Sequence, residues 1–430
     1  MPVLILSPEL IAQKLASFTS HKKFLIAYSG GLDSHVLLHL MAGVRDIDNA
    51  EIRAIYVNHG LQKEAEAWGQ HCLKICKTLS VPCEIIELNL QQLKGESLEA
   101  LARHARYQAL ADSLQSDEVL LTAQHQNDQA ETLLLQLFRG AGVDGLASMP
   151  RSSQFGKGQH IRPLLDYSQQ DLNDYAEANQ LNFIEDPSNQ EQRFDRNFLR
   201  QNIMPQLEKR WQGISKVLSR AAEHQAEAKH LLDDFAAQEL QSLQTTDKTQ
   251  LVISKLLILP KQRQKLVLRY WIKQQGFLQP STKKFEHLFK DVIHARVDAR
   301  PVLSWFSVEK NIEIRRYQDK LYIMEALPVH DHTQIIPWDL KQPLSLGEIG
   351  VTLFPEGIKD FLPNQTGAVT VRFRQGGETI YSPKPGKQIS LKKLFQGSDI
   401  PPWWRSRVPL VYQGEQLVHV FGFPNINKNL

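Results

Sequence analysis

Four times within the first 142 residues a short apolar run gives way to a helix-forming segment, and that alternation limits the fold more than any other feature. "FLIAYS" (24–29) precedes a helical pattern from Asp33, and "IRAIYVNH" (52–59) precedes one from about Lys63 to Leu79. "CEIIELNL" (83–90) leads into "SLEALARHARYQALADSL" (97–114), and "EVLLTAQH" (118–125) into "NDQAETLLLQLFRGAG" (127–142). Consecutive strand–helix units cross over right-handedly and lay their strands side by side in one direction. The predicted fold class is therefore α/β, a doubly wound parallel sheet. In such sheets ligands bind beyond the carboxyl ends of the strands, where "SGGLDS", "NHGL" and "QHQND" all fall.

The chain has 430 residues, too many for one ordinary domain. We expect a helical extension over about 168–235, then two smaller C-terminal α+β domains, with boundaries at 1–215, 216–335 and 340–430. In "STKKFEHLFKDVIHAR" the residues Phe285, Leu288, Phe289, Val292 and Ile293 share one helical face. "ALPVHDHTQIIPWDLKQP" (326–343) reads as a linker, and "PLVYQGEQLVHVFGF" as a hairpin. The net charge is only +3, but residues 351–430 hold ten Lys/Arg against five Asp/Glu, a surplus that suits a polyanionic partner or a solvated face. Three cysteines (72, 76 and 83) without a Cys-x-x-Cys pair speak against a disulfide scaffold or a thiolate metal site. "MPVLILSPEL" lacks a basic lead, and no apolar run reaches the roughly 20 residues of a membrane helix. The expected location is cytoplasmic, with no membrane partner.

The loop after the first strand is the sharpest chemical signal. Gly30 and Gly31 let backbone N–H groups close around an anion, the following helix offers its free N-terminal donors, and Ser29 and Ser34 add hydroxyls. No lysine follows, as a γ-phosphate loop requires, and G-x-G-x-x-G is absent. Asp33 would repel a bare phosphate and makes sense if Mg²⁺ sits between them.

"SGGLDS" resembles the pyrophosphate loop of the N-type ATP pyrophosphatases, whose fold is that of the adenine nucleotide alpha hydrolases. "VNHGLQ" (57–62), "SLEALARHARYQAL" (97–110), "AQHQNDQAETLLLQLFRGAGVDGL" (123–146), "RPLL" (162–165) and "EDPSNQEQRFDRNFLRQNIMPQL" (185–207) follow in order. Together with "LKKLFQGSDIPPWWRSRVPLVY" (391–412) they resemble the tRNA(Ile)-lysidine synthetase family. Where that family usually reads His-His-x-Asp-Asp, this chain has Gln124, His125, Gln126, Asn127 and Asp128. The resemblance implies a ligase that uses ATP and Mg²⁺ to adenylate C2 of the wobble cytidine in a CAU-anticodon tRNA(Ile). L-lysine then displaces AMP. A homodimer is compatible with it. A tRNA thiolase with the same loop, or a nucleotide-binding RNA module without chemistry, are the alternatives.

On that reading Ser29, Asp33 and Ser34 are catalytic. Ser29, Gly30, Gly31, Leu32, Asp33, Ser34 and His59 bind ATP, with Asp33 reaching Mg²⁺ through the phosphates. Asp128 and Glu131, three apart on one helix face, grip the α-amino end of lysine or merely cap their helix. Arg106, beside Arg103 and Tyr107, holds a carboxylate or phosphate, or pairs with Glu99. Arg193, Arg196 and Arg200 read as one side of a helix that touches the tRNA backbone or water. His125 follows a strand at the ligand end. In the last domain Arg372 and Arg374 form a basic outer strand face, while Lys392, Lys393, Arg405 and Arg407 flank Trp403 and Trp404, tryptophans that serve either RNA stacking or the core.

Overall fold

The computed structural model describes residues 6–58, 60, 65–88, 98–187, 191–296, 299–307, 310–359, 362, 369–381 and 388–422. The chain divides into two compact units, Met1–Leu232 and Asp233–Leu430.

The first unit begins with α1 (Pro8–Phe18), capped by the Ser7 hydroxyl. Then β1 (Lys23–Ala27), α2 (Leu32–Asp48), β2 (Glu51–Asn58), α3 (Ala65–Thr78), β3 (Cys83–Glu87), α4 (Leu98–Ser113), β4 (Glu118–Leu121) and α5 (Gln126–Phe138) alternate as anticipated. After the single turn α6 (Val143–Leu146) come β5 (Ser152–Phe155) and β6 (Gly158–Ile161), a hairpin that the sequence reading lacked. The sheet order is β3-β2-β1-β4-β6-β5. All pairs from β3 to β6 are parallel, and β5 closes the edge antiparallel to β6.

Burial on both faces explains why β1 is a continuous apolar run rather than an alternating one. Phe24 and Ile26 pack with Ala54, Val119 and Leu121 under α1, α2 and α3. Leu25 points the other way, onto Ile55, Leu120, Leu110 of α4 and Leu114 just beyond its end. Because β2 and β4 lie on opposite sides of β1, the chain reverses direction across the sheet there. The crevice at that switch point opens at the carboxyl end of β1, beside the glycine loop.

Three short helices and a long one follow: α7 (Gln169–Ala178), α8 (Asp195–Phe198), α9 (Met204–Arg210) and α10 (Ile214–Leu243), with a π turn over Leu199–Ile203 between α8 and α9. In the second unit, β7 (Gln250–Val252), β8 (Val302–Ser307), β9 (Lys310–Tyr317) and β10 (Lys320–Glu325) form an antiparallel sheet ordered β7-β10-β9-β8. Its core takes Phe285, Leu288, Phe289, Val292 and Ile293 as the helical spacing predicted. A second sheet joins Ile336–Trp338, Val369–Arg372, Leu410–Gln413 and Gln416–Val420. The segment read as a linker thus contains a strand, paired through Ile336 with Val371. Its Trp338 is buried and donates its indole N–H to the Gln342 carbonyl at 2.8 Å. Among the described residues no helix is long and apolar enough to cross a membrane.

Candidate active site

The glycine loop is shaped by its neighbours as much as by its own letters. Gly30 adopts φ +80, and a Cβ there would stand 2.7 Å from Ile184 Cδ1 and 3.0 Å from Cys72 Sγ. Only glycine meets both demands. The Ile184 N–H donates to the Gly30 carbonyl at 2.9 Å, tying a distant strap of chain to the loop. Gly31 is the N-cap of α2 and makes no side-chain cap, so the first turn keeps its donors for a ligand. Ser34 donates its hydroxyl to the Gly31 carbonyl at 3.0 Å, accepts the Ser29 N–H at 3.1 Å, and lies 3.0 Å from the Ser29 hydroxyl. Leu32 opens α2 with its side chain against the core.

Asp33 follows, half-buried, and accepts from Gln169 Nε2 at 2.9 Å. Burial raises its pKa above the ordinary carboxylate value, against the pull of His125, whose Nε2 is 3.7 Å away. This carboxylate lines the cavity beside the loop, where it could help to hold a divalent cation. Among the described residues no three His, Cys, Asp or Glu side chains converge to hold a metal unaided, so phosphate would have to complete the shell.

On the β4 side, α5 begins with His125 as its N-cap. Its Nδ1 accepts the Asn127 N–H at 3.2 Å while Asp128 Oδ2 accepts the His125 N–H at 3.1 Å. One turn on, two carboxylates and two guanidiniums interlock. Asp128 Oδ1 accepts from Arg196 Nη2 and Arg200 Nη2, each at 2.9 Å. Glu131 Oε2 accepts from Arg196 Nε at 2.8 Å, and Oε1 from Arg200 Nε at 2.7 Å. Burial alone would raise the Asp128 pKa, but His125, Arg196 and Arg200 outweigh it and hold the carboxyl below its usual range. Arg200 is burdened by burial too, yet Glu131, Asp128 and Asp33 hold its proton more firmly than usual.

Loop and cluster face one cavity of about 650 Å³, within the range of small-ligand sites. Ser29, Gly31, Asp33 and Ser34 line it from the loop, and Asp128, Arg196 and Arg200 from the cluster, with His125 Nε2 3.7 Å from Asp33 and 3.5 Å from Asp128; Tyr56, Trp68 and Ile184 supply apolar wall. Arg103, Arg106, Tyr107 and Gln124 complete it.

Sequence patterns match most of the chain. The PP-loop domain matches residues 8–207, the TilS substrate binding domain 251–322, and the TilS substrate C-terminal domain 369–428. A tRNA(Ile)-lysidine synthase of Coxiella burnetii is 44% identical, covering 97% of this chain and 93% of that one. Those of Methylococcus capsulatus (39%; 93% and 91%) and Pectobacterium atrosepticum (40%; 93% and 89%) are similar over nearly as much. The chain belongs to the tRNA(Ile)-lysidine synthase family. It is an ATP-dependent ligase of that family, and the PP-loop match carries ATP binding with it.

Several residues of this lysidine synthase family member sit elsewhere than the sequence reading put them. Arg193, Arg196 and Arg200 do not form one helix face. Arg193 precedes α8, exposed, with its Nε 2.5 Å from Glu191, whereas Arg196 and Arg200 turn inward to the cavity. Arg196 and Arg200 are four residues apart, so a single helical face carries both onto the same pair of carboxylates. Glu131 was expected to grip an amino acid; both its oxygens are engaged by arginines, and it stands behind Asp128 instead of lining the cavity. Arg106 does line it, half-buried beside the Tyr107 ring, with burial lowering its pKa and no carboxylate paired to it among the described residues. His59 and the Glu99 side chain lie outside the described residues.

In the last domain Arg372 pairs with Glu415 at 3.0 Å, and Arg374 Nε lies 3.8 Å from Glu378. Arg405 donates to the Ile400 carbonyl and the Tyr317 hydroxyl, and Arg407 to the Pro328 carbonyl. Lys392 and Lys393 are exposed. Trp403 is half-buried and packs edge-on against Tyr322, while Trp404 is exposed. The sequence reading missed Gln169 and Ile184; each is more than 130 residues from its partner in the loop, and no local spacing signals such a pairing.

Proposed function

We propose that this chain joins the ε-amine of L-lysine to C2 of the wobble cytidine in a CAU-anticodon tRNA(Ile), through an adenylated cytidine, releasing AMP and pyrophosphate. The observation that carries the reading is the single cavity shared by a phosphate-shaped loop and a carboxylate–guanidinium cluster. Ser29, Gly30, Gly31, Leu32 and Ser34 would hold the departing pyrophosphate through backbone and hydroxyl donors, with His59 near the nucleotide. Mg²⁺, held by Asp33 through the phosphates, would offset negative charge on the leaving group.

The second step needs a neutral amine, and a free lysine side chain with pKa about 10.4 is almost wholly protonated at pH 7. Asp128, held ionised, is a poor proton acceptor but a good clamp for the α-ammonium group; Arg106 suits the α-carboxylate. Glu131 would act through Arg196 and Arg200, fixing the face that Asp128 presents.

The two smaller C-terminal domains would grip the tRNA body, with Lys392 and Lys393 the residues best exposed for phosphate and Arg193, Arg372, Arg374, Arg405 and Arg407 nearby in charge if not free of protein partners. A cytoplasmic location and a homodimer are both compatible with this reading. Incubation with ATP, labelled L-lysine and CAU tRNA(Ile) tests it: label transfer with AMP and pyrophosphate is expected, and ADP with inorganic phosphate would refute it.

A further inference from the structure

A buried polar relay ends on Gln124, at the cavity wall just past β4. His160 on β6 is 2% exposed, and its Nε2 lies 2.7 Å from the Thr122 hydroxyl oxygen. Thr122, also buried, donates its hydroxyl proton to Gln124 Oε1. A hydroxyl has one proton to give, so with that proton committed to Gln124 it must accept from His160, which fixes the imidazole proton on Nε2. Burial, aided by Arg162, lowers the His160 pKa to about 3, so the ring stays neutral and the direction of the relay does not reverse near neutral pH.

The relay sets which way the Gln124 amide faces. Its oxygen is occupied from behind. Among the described residues its nitrogen has only the Tyr107 hydroxyl at 3.5 Å, the far limit of a hydrogen bond, and Gln124 lines the cavity. With its oxygen engaged by Thr122, Gln124 has N–H donors to offer to whatever enters. From Asp33 and Arg106, which line the same space, a ligand sees charge; from Gln124 it sees a neutral donor of fixed sense.

We infer that Gln124 reads the pyrimidine ring of the target nucleotide, donating to the N3 acceptor that cytosine carries and uracil replaces with N–H. The inference rests on the lysidine reading, since it presumes that a pyrimidine reaches this wall. Donation to N3 leaves the O2 lone pairs free for attack on the α-phosphorus of ATP. A uracil would set N–H against N–H, and a site built to hydrogen-bond one edge rejects the analogue that lacks the matching atom more strongly than an apolar wall could. Thr122 and His160 are positioning residues: they act on the base through the amide whose sense they fix.

The test compares anticodon stem-loops carrying C34 or U34, by binding without ATP and by lysine transfer in the full tRNA. Gln124→Met keeps the volume and removes the donors; Gln124→Glu turns donors into acceptors. Gln124→Met should lose roughly tenfold in kcat/KM for the C34 tRNA, with the KM for ATP unchanged and the C34-over-U34 binding preference reduced. Gln124→Glu should reverse that preference, because its carboxylate accepts from the uracil N3–H. Unaltered C34/U34 ratios in both variants, or a preference that falls only in step with ATP affinity, would overturn the assignment. A wild type that binds C34 over U34 yet transfers no lysine would refute the proposed reaction while leaving the base-reading role supported.

Discussion

The two neighbouring linings of the cavity, loop and cluster, are built from different materials. On the loop side the free donors are main-chain N–H groups: Gly30 and Gly31 shape the turn, and Ser29 and Ser34 brace it over at most 3.1 Å. On the cluster side four ionised side chains, Asp128, Glu131, Arg196 and Arg200, hold one another. A main-chain cradle depends on conformation, so it tolerates loss of any one side chain better than loss of its backbone angles. A charge cluster depends on its count, so removing one member leaves the others buried and unmatched.

Glu131→Ala should cause the largest loss. Two guanidiniums lose a carboxylate that is 2% exposed. Breaking a buried pair costs about 3–5 kcal/mol, and the partial exposure of Arg200 moves the figure toward the low end. Urea denaturation should read about 3 kcal/mol, and lysine transfer should fall at least ~100-fold as Asp128 loses its orientation. If stability holds, the cluster is not the unit described here. Gly30→Ala comes next: the positive φ and the contact with Ile184 should distort the loop, cutting kcat/KM for ATP by about 100-fold, the size of losing one preorganised donor. An equal rise in the KM for lysine would erase the distinction between the two linings.

Asp128→Asn is milder. The amide keeps its shape but not its charge, and the KM for lysine should rise about tenfold, the cost of one charge-assisted hydrogen bond, while that for ATP stays within about twofold of wild type. The smallest effect comes from pH. Asp33 has a folded pKa above its ordinary value, so it opposes folding while ionised, and that cost is relieved as pH falls through the raised value. Asp128 has a folded pKa below its ordinary value, so its contribution is present above about 3.9 and is lost only under stronger acid. On acidification ATP use should therefore weaken before lysine affinity does, each followed by its own KM. The reverse order would mean that the two carboxyls have been assigned to the wrong substrates.

The same contrast explains what could be read from sequence. The cradle is local: a strand, two glycines and a helix start lie within eleven residues, and each leaves a compositional mark. The parallel order of β1 to β4 was legible for a similar reason, since strand and helix alternate by period. The charge cluster joins residues 65 to 72 positions apart, and helical period, which puts 196 and 200 on one face, does not say that this face turns inward rather than to tRNA or water. Asn127 shows the limit from another side. Its side-chain Oδ1 accepts the Gln169 backbone N–H at 3.0 Å and fastens the start of α7, a structural duty that no motif announces. The β5–β6 hairpin was missed because "SSQFGKGQHI" is polar and short, and its strand character comes from pairing with β4.

Ile184 fills the space where a side chain on Gly30 would go, and its main chain is bonded to the same glycine. The six-letter signature is thus only half of the anion holder; the rest arrives from the far side of the domain. Engineers who move "SGGLDS" into another strand–helix junction without a matching clasp would copy the spelling and lose the curvature.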